Sequence, residues 1–256
     1  MVRFQINNLP TLIKTVHNAQ KIWRKQNWEK SIIDQDNNIE KVLEILNLYG
    51  KWKNKFHGDK IAEKIMPEIF ADGINGLHFA LLGLYKYANM CLRSQMESAL
   101  RMIYFIDHKI EYDWWLNDNE WYINVKQKYV WGSDFTYFKQ LSKIDTFDQQ
   151  CNANKKIYSG RKTGDLLKRL YAQLSKSIHT SADHFQTSTG RYSPKYDEAK
   201  FQEWIKNCND LQCYIMISLI LAFPDIFKKM TSSEQDSILN KAIVDLDYIQ
   251  KIQSVI

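Results

Sequence analysis

From Gly76 to His108 the chain reads GLHFALLGLYKYANMCLRSQMESALRMIYFIDH, 33 residues without a proline and apolar on nearly every side. A helix is the element that accommodates such a run, and this stretch predicts one long central helix over 76–108. Lys86, Asn89, Arg93, Glu97, Arg101, Tyr104 and His108 interrupt its apolar character. At about 100° per residue they share a sector roughly 120° wide, broken by Met90 and Leu100. A greasy helix with one charged stripe is either a core helix with a wet face or the wall of a site.

The rest of the chain agrees with helix. Nine glycines and four prolines in 256 residues are few, and both are poorly tolerated inside helices. No segment alternates apolar and polar residues between turn dipeptides, which leaves little signal for strand. N-terminal helices are expected over 11–71, from Thr11 to about Trp28 and again from Ile39, with a polar loop at Ser31–Asn38 between them. Asp59 caps a helix running through Ala71, and Asp72-Gly73 turns into the central helix. Trp114, Trp115, Trp121 and Trp131 read as a packing cluster, Ser133 caps a short helix, and Asp145–Gly160 reads as loop. Leu167, Leu170, Tyr171, Leu174 and Ile178 share the apolar face of a further helix, and Ser181–Tyr196 is a polar loop after it. Asp197–Phe223 marks another helix, with Phe201, Trp204, Ile205, Cys208, Leu211, Ile215 and Leu219 on its inner face. The Thr231-Ser-Ser-Glu234 capping box opens a last helix from about 232. The reading is one all-α domain, 1–256, of about eight helices.

Composition narrows the setting. The greasiest window, Leu211–Phe223, has 13 residues and stops at Pro224, too short to span a bilayer. The N-terminal MVRFQINNLPTLIK lacks a signal peptide's apolar run. Four cysteines without CxxC spacing read as reduced thiols of a cytoplasmic protein, and no histidine spacing suggests a metal. No cofactor is implied: SGRKTGD at Ser159–Asp165 lacks the Gly-Lys-Ser/Thr of a phosphate loop, and no GxSxG occurs.

Net charge is +6, and residues 151–200 hold ten Lys and Arg against four Asp and Glu, which is the whole surplus. Lys155, Lys156, Arg161, Lys162, Lys168, Arg169 and Lys176 therefore form the candidate surface for RNA or another anionic ligand. Lys51–His57 (KWKNKFH) is basic with aromatics interleaved, a nucleic-acid pattern. The preferred reading is a solvated helix end with Trp52 and Phe56 turned inward.

Three residues form the first candidate for chemistry. Arg93 and Glu97 are i,i+4, so the carboxylate can aim the guanidinium at a phosphate. His179, beside the basic block, has an imidazole suited to general acid or base work. The bland alternatives are a structural ion pair and a histidine closing a helix end. Arg101 and His108, seven apart on one helix face, are the fallback pair.

The central helix, followed by Tyr171-Ala-Gln-Leu174-Ser175-Lys-Ser-Ile-His179, resembles the HEPN-like helical proteins of bacterial toxin, abortive-infection and phage-defence systems over about 73–223. The resemblance implies an antiparallel helical bundle, often a homodimer. It also implies a metal-independent ribonuclease that uses an Arg-x4–6-His motif, or a partner protein of a defence system. Arg101 and His108 have that spacing, but Met102 follows the arginine where the family has a polar residue. His179 lies late, as the family motif does, yet nine residues separate it from Arg169, so Arg93 would have to serve it from another helix. The alternative is a non-catalytic module binding nucleic acid, a nucleotide signal or a partner protein through the same basic surface.

Overall fold

The long central helix is two helices, and the break lies at Gly83. The structure, a computed structural model, describes residues 9–117, 170–176, 196–243, 249–250 and 252–253. Helix α1 is Leu9–Lys55, α2 is Lys60–Leu81, α3 is Tyr85–Asp107 and α4 is Lys109–Asn117. A helical segment, α5, follows at residues 170–176. Then come α6 (Glu198–Ala222), α7 (Pro224–Lys228) and α8 (Ser232–Ile238), which runs into a π-helical turn at Leu239–Ile243. The protein is all-α, with no strand among the described residues.

At the break, Gly83 has φ +73°, its amide donates to the Ala80 carbonyl and the Leu84 amide donates to that of Phe79. This is the Schellman closure, which satisfies orphan carbonyls and needs a residue at home with positive φ. The turn folds α3 back against α2, its principal neighbour, while α6 packs on α3 from another side.

The expected turn at Asp72-Gly73 is, conversely, helix interior. Gly73 is there for close approach. A Cβ at this position would come within 2.4 Å of Leu46 Cδ2 and 2.8 Å of Gln95 Nε2.

The loop expected at Ser31–Asn38 is also helix, interrupted by the single kinked residue Gln35 at φ −132°, ψ 17°. Its polarity is turned inward. Ser31 and Gln35 are buried. Ser31 Oγ donates to the Trp28 carbonyl, and Gln35 Oε1 accepts from Asn38 and from Gln202 of α6.

Among the described residues three expected helix starts and two expected buried faces stand. Asp59 accepts from the amides of Ile61 and Ala62, and Thr231 and Glu234 form the reciprocal capping box. Asp197 caps α6, whose seven expected inner residues are all buried. Trp52 and Phe56 are buried too, stacked on Phe227 of α7 and edge-on to Phe223 respectively. One core joins these helices, with Trp52, Leu92, Phe105, Phe201 and Trp204 among its most buried members. No helix among the described residues is long and apolar enough to cross a membrane.

The short helix expected at Ser133, the tryptophans 121 and 131, Cys151 and the loop at 145–160 lie outside the described residues. Of the loop expected at Ser181–Tyr196, only Tyr196 is described, its amide donating to Asn27 Oδ1.

Candidate functional site

The polar stripe of α3 is a seam. Lys86, Asn89, Arg93, Glu97 and Arg101 are half-buried and Tyr104 is buried, so the row is neither dry core nor open surface. Over its middle lies α5. Leu170 and Leu174 enter the core. The helical repeat then sets Tyr171 and Ser175, one residue after each leucine, beside α3.

Arg93 is the centre of this contact. Its Nε donates to Glu97 Oε1 at 2.9 Å, one Nη to the Tyr171 hydroxyl at 2.7 Å and the other to Ser175 Oγ at 3.1 Å. The guanidinium carbon stands 4.6 Å from the centre of the Tyr171 ring. Ser175 in turn donates to the carbonyl of Tyr171, so its oxygen is set to receive Arg93.

With 16% of its side chain exposed against 27% for Glu97, the arginine sits partly out of water, where charge-assisted hydrogen bonds gain strength. A guanidinium has five N–H donors, and three of those of Arg93 have partners among the described residues. Chemically, this is a fixed cation with one carboxylate to aim it.

Behind Arg93, on the far side of α3, Gln95 is completely buried. Its amide nitrogen donates to the Ile69 carbonyl of α2 at 2.9 Å, and its oxygen accepts from Gln212 of α6 at 2.7 Å. Gln212 accepts in turn from the hydroxyl of Tyr49 in α1. Four helices are therefore tied through three side chains, and α3 is held on both faces.

The fallback pair is drawn into separate contacts. Arg101 lies over the Trp115 ring of α4, 5.5 Å from its centre, and its buried Nε has no hydrogen-bond partner among the described residues. His108 is the C-cap of α3, outside helical geometry at φ −118°, ψ 65°. Its ring stacks on Tyr104 with centroids 3.9 Å apart, and Nδ1 is 3.1 Å from the Tyr104 carbonyl. Each residue is thus engaged by an aromatic neighbour.

His179 and the basic residues Lys155, Lys156, Arg161, Lys162, Lys168 and Arg169 lie outside the described residues. Lys176 is exposed at the end of α5. The partner that sequence reasoning missed is Tyr171, assigned to the apolar face with Leu170. Its signal was the Tyr171-x3-Ser175 spacing, which places two hydroxyl groups one helical turn apart.

Cys91 and Cys208 offer no nucleophile at neutral pH. Burial, then the charge of Asp72, pushes the Cys91 thiol up to about 11. Burial pushes Cys208 up to about 12, opposed by a hydrogen bond from Gln212. A thiol so far above its usual range stays protonated. Among the described residues no group of three or more His, Cys, Asp or Glu side chains is placed to hold a metal ion.

Compared with protein-family models, with curated proteins and with solved structures, the chain matches none.

Proposed function

We propose that this chain is an HEPN-like helical protein of a defence or toxin system that cleaves RNA without a metal ion, with Arg93 as its phosphate-binding group. The observation that supports the reading is the state of Arg93: aimed by Glu97, braced by Tyr171 and Ser175, and with two N–H donors unused among the described residues. A guanidinium fixed in advance stabilises the charge of a phosphorane without reorganising at the moment of reaction.

In the proposed step His179, four residues after Ser175 in sequence, removes the proton of a ribose 2′-hydroxyl. The 2′-oxygen bonds to phosphorus, the bond to the 5′-oxygen breaks, and that oxygen leaves with a proton. The products are a 2′,3′-cyclic phosphate and a 5′-hydroxyl end.

The test is cleavage of mixed RNAs in chelator by the wild type, Arg93→Ala and His179→Ala. Cyclic-phosphate ends are expected from the wild type. Loss of the arginine should slow cleavage about 10²–10³-fold, and loss of the base about 10²–10⁴-fold. Intact RNA with every protein, together with salt-dependent binding that Arg93→Ala weakens, would leave a non-catalytic RNA-binding module.

A further inference from the structure

A run of aromatic rings crosses three helices, α1, α2 and α3. Trp28 of α1 meets His78 of α2 with centroids 5.4 Å apart. His78 meets Phe79 at 6.0 Å, and Phe79 meets Tyr87 of α3 at 6.0 Å. None of these rings is fully buried. Tyr87 is 51% exposed and Trp28 37%.

The middle of the run, His78 and Phe79, is half-buried with Phe79 packed against the core, but its two ends, Trp28 and Tyr87, stand open to water beyond what packing needs. Burial first, and the charge of Arg24 second, hold His78 below its usual range, so at neutral pH it is an uncharged ring.

The charges around the run have one prevailing sign. Lys21, Arg24 and Lys25 are exposed and lie at i−7, i−4 and i−3 to Trp28, on its side of α1. Glu29, the acid beside them, is 3.8 Å from Lys25. At the other end Lys86 precedes Tyr87. Rings flanked by cations fit a partner that carries both flat π-faces and negative charge, which is single-stranded nucleic acid.

The register of α3 then links this surface to Arg93. Lys86, Met90, Arg93 and Glu97 follow each other at i, i+4, i+7 and i+11 on one strip of the helix, and Tyr87 stands about 100° around the helix from Lys86. Met90 is itself exposed. Tyr87 and Arg93 differ by six residues, a rise of about 9 Å and a turn of about 120° around the helix, so a strand that touches both crosses the helix obliquely.

We propose that the Trp28–Tyr87 face is a base-stacking platform for single-stranded RNA, with Tyr87 taking a base and the same strand's backbone passing over Lys86 and Met90 to Arg93. This rests on the RNA reading of Arg93 given above and adds its strand preference. Single strands with unstacked bases are the substrate, and duplex is excluded because its bases cannot reach the rings.

The test is fluorescence anisotropy of the full chain with three labelled probes of equal length: a single-stranded oligoribonucleotide, an abasic ribose-phosphate strand and an RNA duplex. The wild type should bind the base-bearing strand tightest. Tyr87→Ala, at an exposed site that leaves the melting curve unchanged, should weaken that strand about five- to hundredfold while leaving the abasic strand alone. Tyr87→Phe should restore binding, and Arg93→Ala should weaken base-bearing and abasic strands alike.

If Tyr87→Ala binds and cleaves as the wild type does while Arg93→Ala fails, the platform is overturned and the RNA reading survives. If the wild type binds no probe even at low salt, the RNA reading fails and the platform falls with it. If Tyr87→Ala instead dissociates a homodimer seen by sedimentation, with strand affinity unchanged, the face is a protein interface and the platform is overturned.

Discussion

Arg93 shows how much a single side chain can be committed before any ligand arrives. Its pairing with Glu97 was legible from the four-residue spacing alone, because i and i+4 are neighbours on any helix. Its contacts with Tyr171 and Ser175 were not legible, since they depend on where a segment 78 and 82 residues away comes to rest. The Glu97 carboxylate both aims the cation and cancels part of its charge, and Glu97→Gln separates the two effects. The amide oxygen still accepts from Nε but carries no charge. Stability should fall by about 1 kcal/mol or less in urea melts, because the pair is partly exposed to water. RNA affinity at low salt should rise a few-fold, since Arg93 then offers its full charge to phosphate. A loss of stability with no change in affinity would mark the pair as structural only.

At the scale of elements, the sequence was read well where helices carry polar caps and poorly where backbone geometry decides. Asp59, Asp197 and Thr231 announced three helix starts through oxygens that accept backbone N–H groups. Gly83 was concealed among leucines, and Gly73 was taken for a turn although it serves packing. A glycine shows in sequence, but whether it is wanted for positive φ or for a missing Cβ does not. The two roles predict different substitutions. At Gly83, Ala should cost about 1–2 kcal/mol for the left-handed backbone, with Asn milder. At Gly73, Ala and Asn should both destabilise, because Leu46 and Gln95 already fill the space and overpacking costs about 1–3 kcal/mol. Chemical denaturation of the four variants decides both. The capping box of α8 adds a pH signature. Glu234 is held below the usual glutamate range first by the Thr231 amide, with Lys55 and the Thr231 hydroxyl adding to it. Its folded form therefore prefers the charged state, and its contribution is present above the ordinary glutamate range and lost as pH falls through the lowered value. The melting-temperature gap between wild type and Glu234→Gln should be open at pH 7 and close in acid. A gap unchanged down to pH 3 would contradict the cap's charge.

For the whole molecule, the deciding feature is the Tyr49–Gln212–Gln95 relay, which the sequence placed nowhere because two glutamines in apolar helices look like surface residues. Buried, each needs a partner, and the bonds that supply one join α1, α2, α3 and α6 in one register. An apolar core of the same volume would tolerate α3 turned by a fraction of its repeat. The relay does not, and Arg93 lies on the opposite side of that helix from Gln95, so the same bonds fix its aim. A multiple-mutant cycle tests this. Gln212→Leu strands both the Tyr49 hydroxyl and the Gln95 oxygen, and Gln95→Leu strands the amide of Gln212. Each buried group left unpaired should cost about 1–3 kcal/mol in urea unfolding. Adding Tyr49→Phe to both removes every stranded group at once, so the triple variant should be more stable than the sum of the single losses by at least about 1 kcal/mol. The triple variant should also lose RNA affinity that its stability does not explain, because α3 is then free to rotate and Arg93 is no longer held in place. Full affinity in a stable triple variant would show that the relay holds the core together without aiming the site.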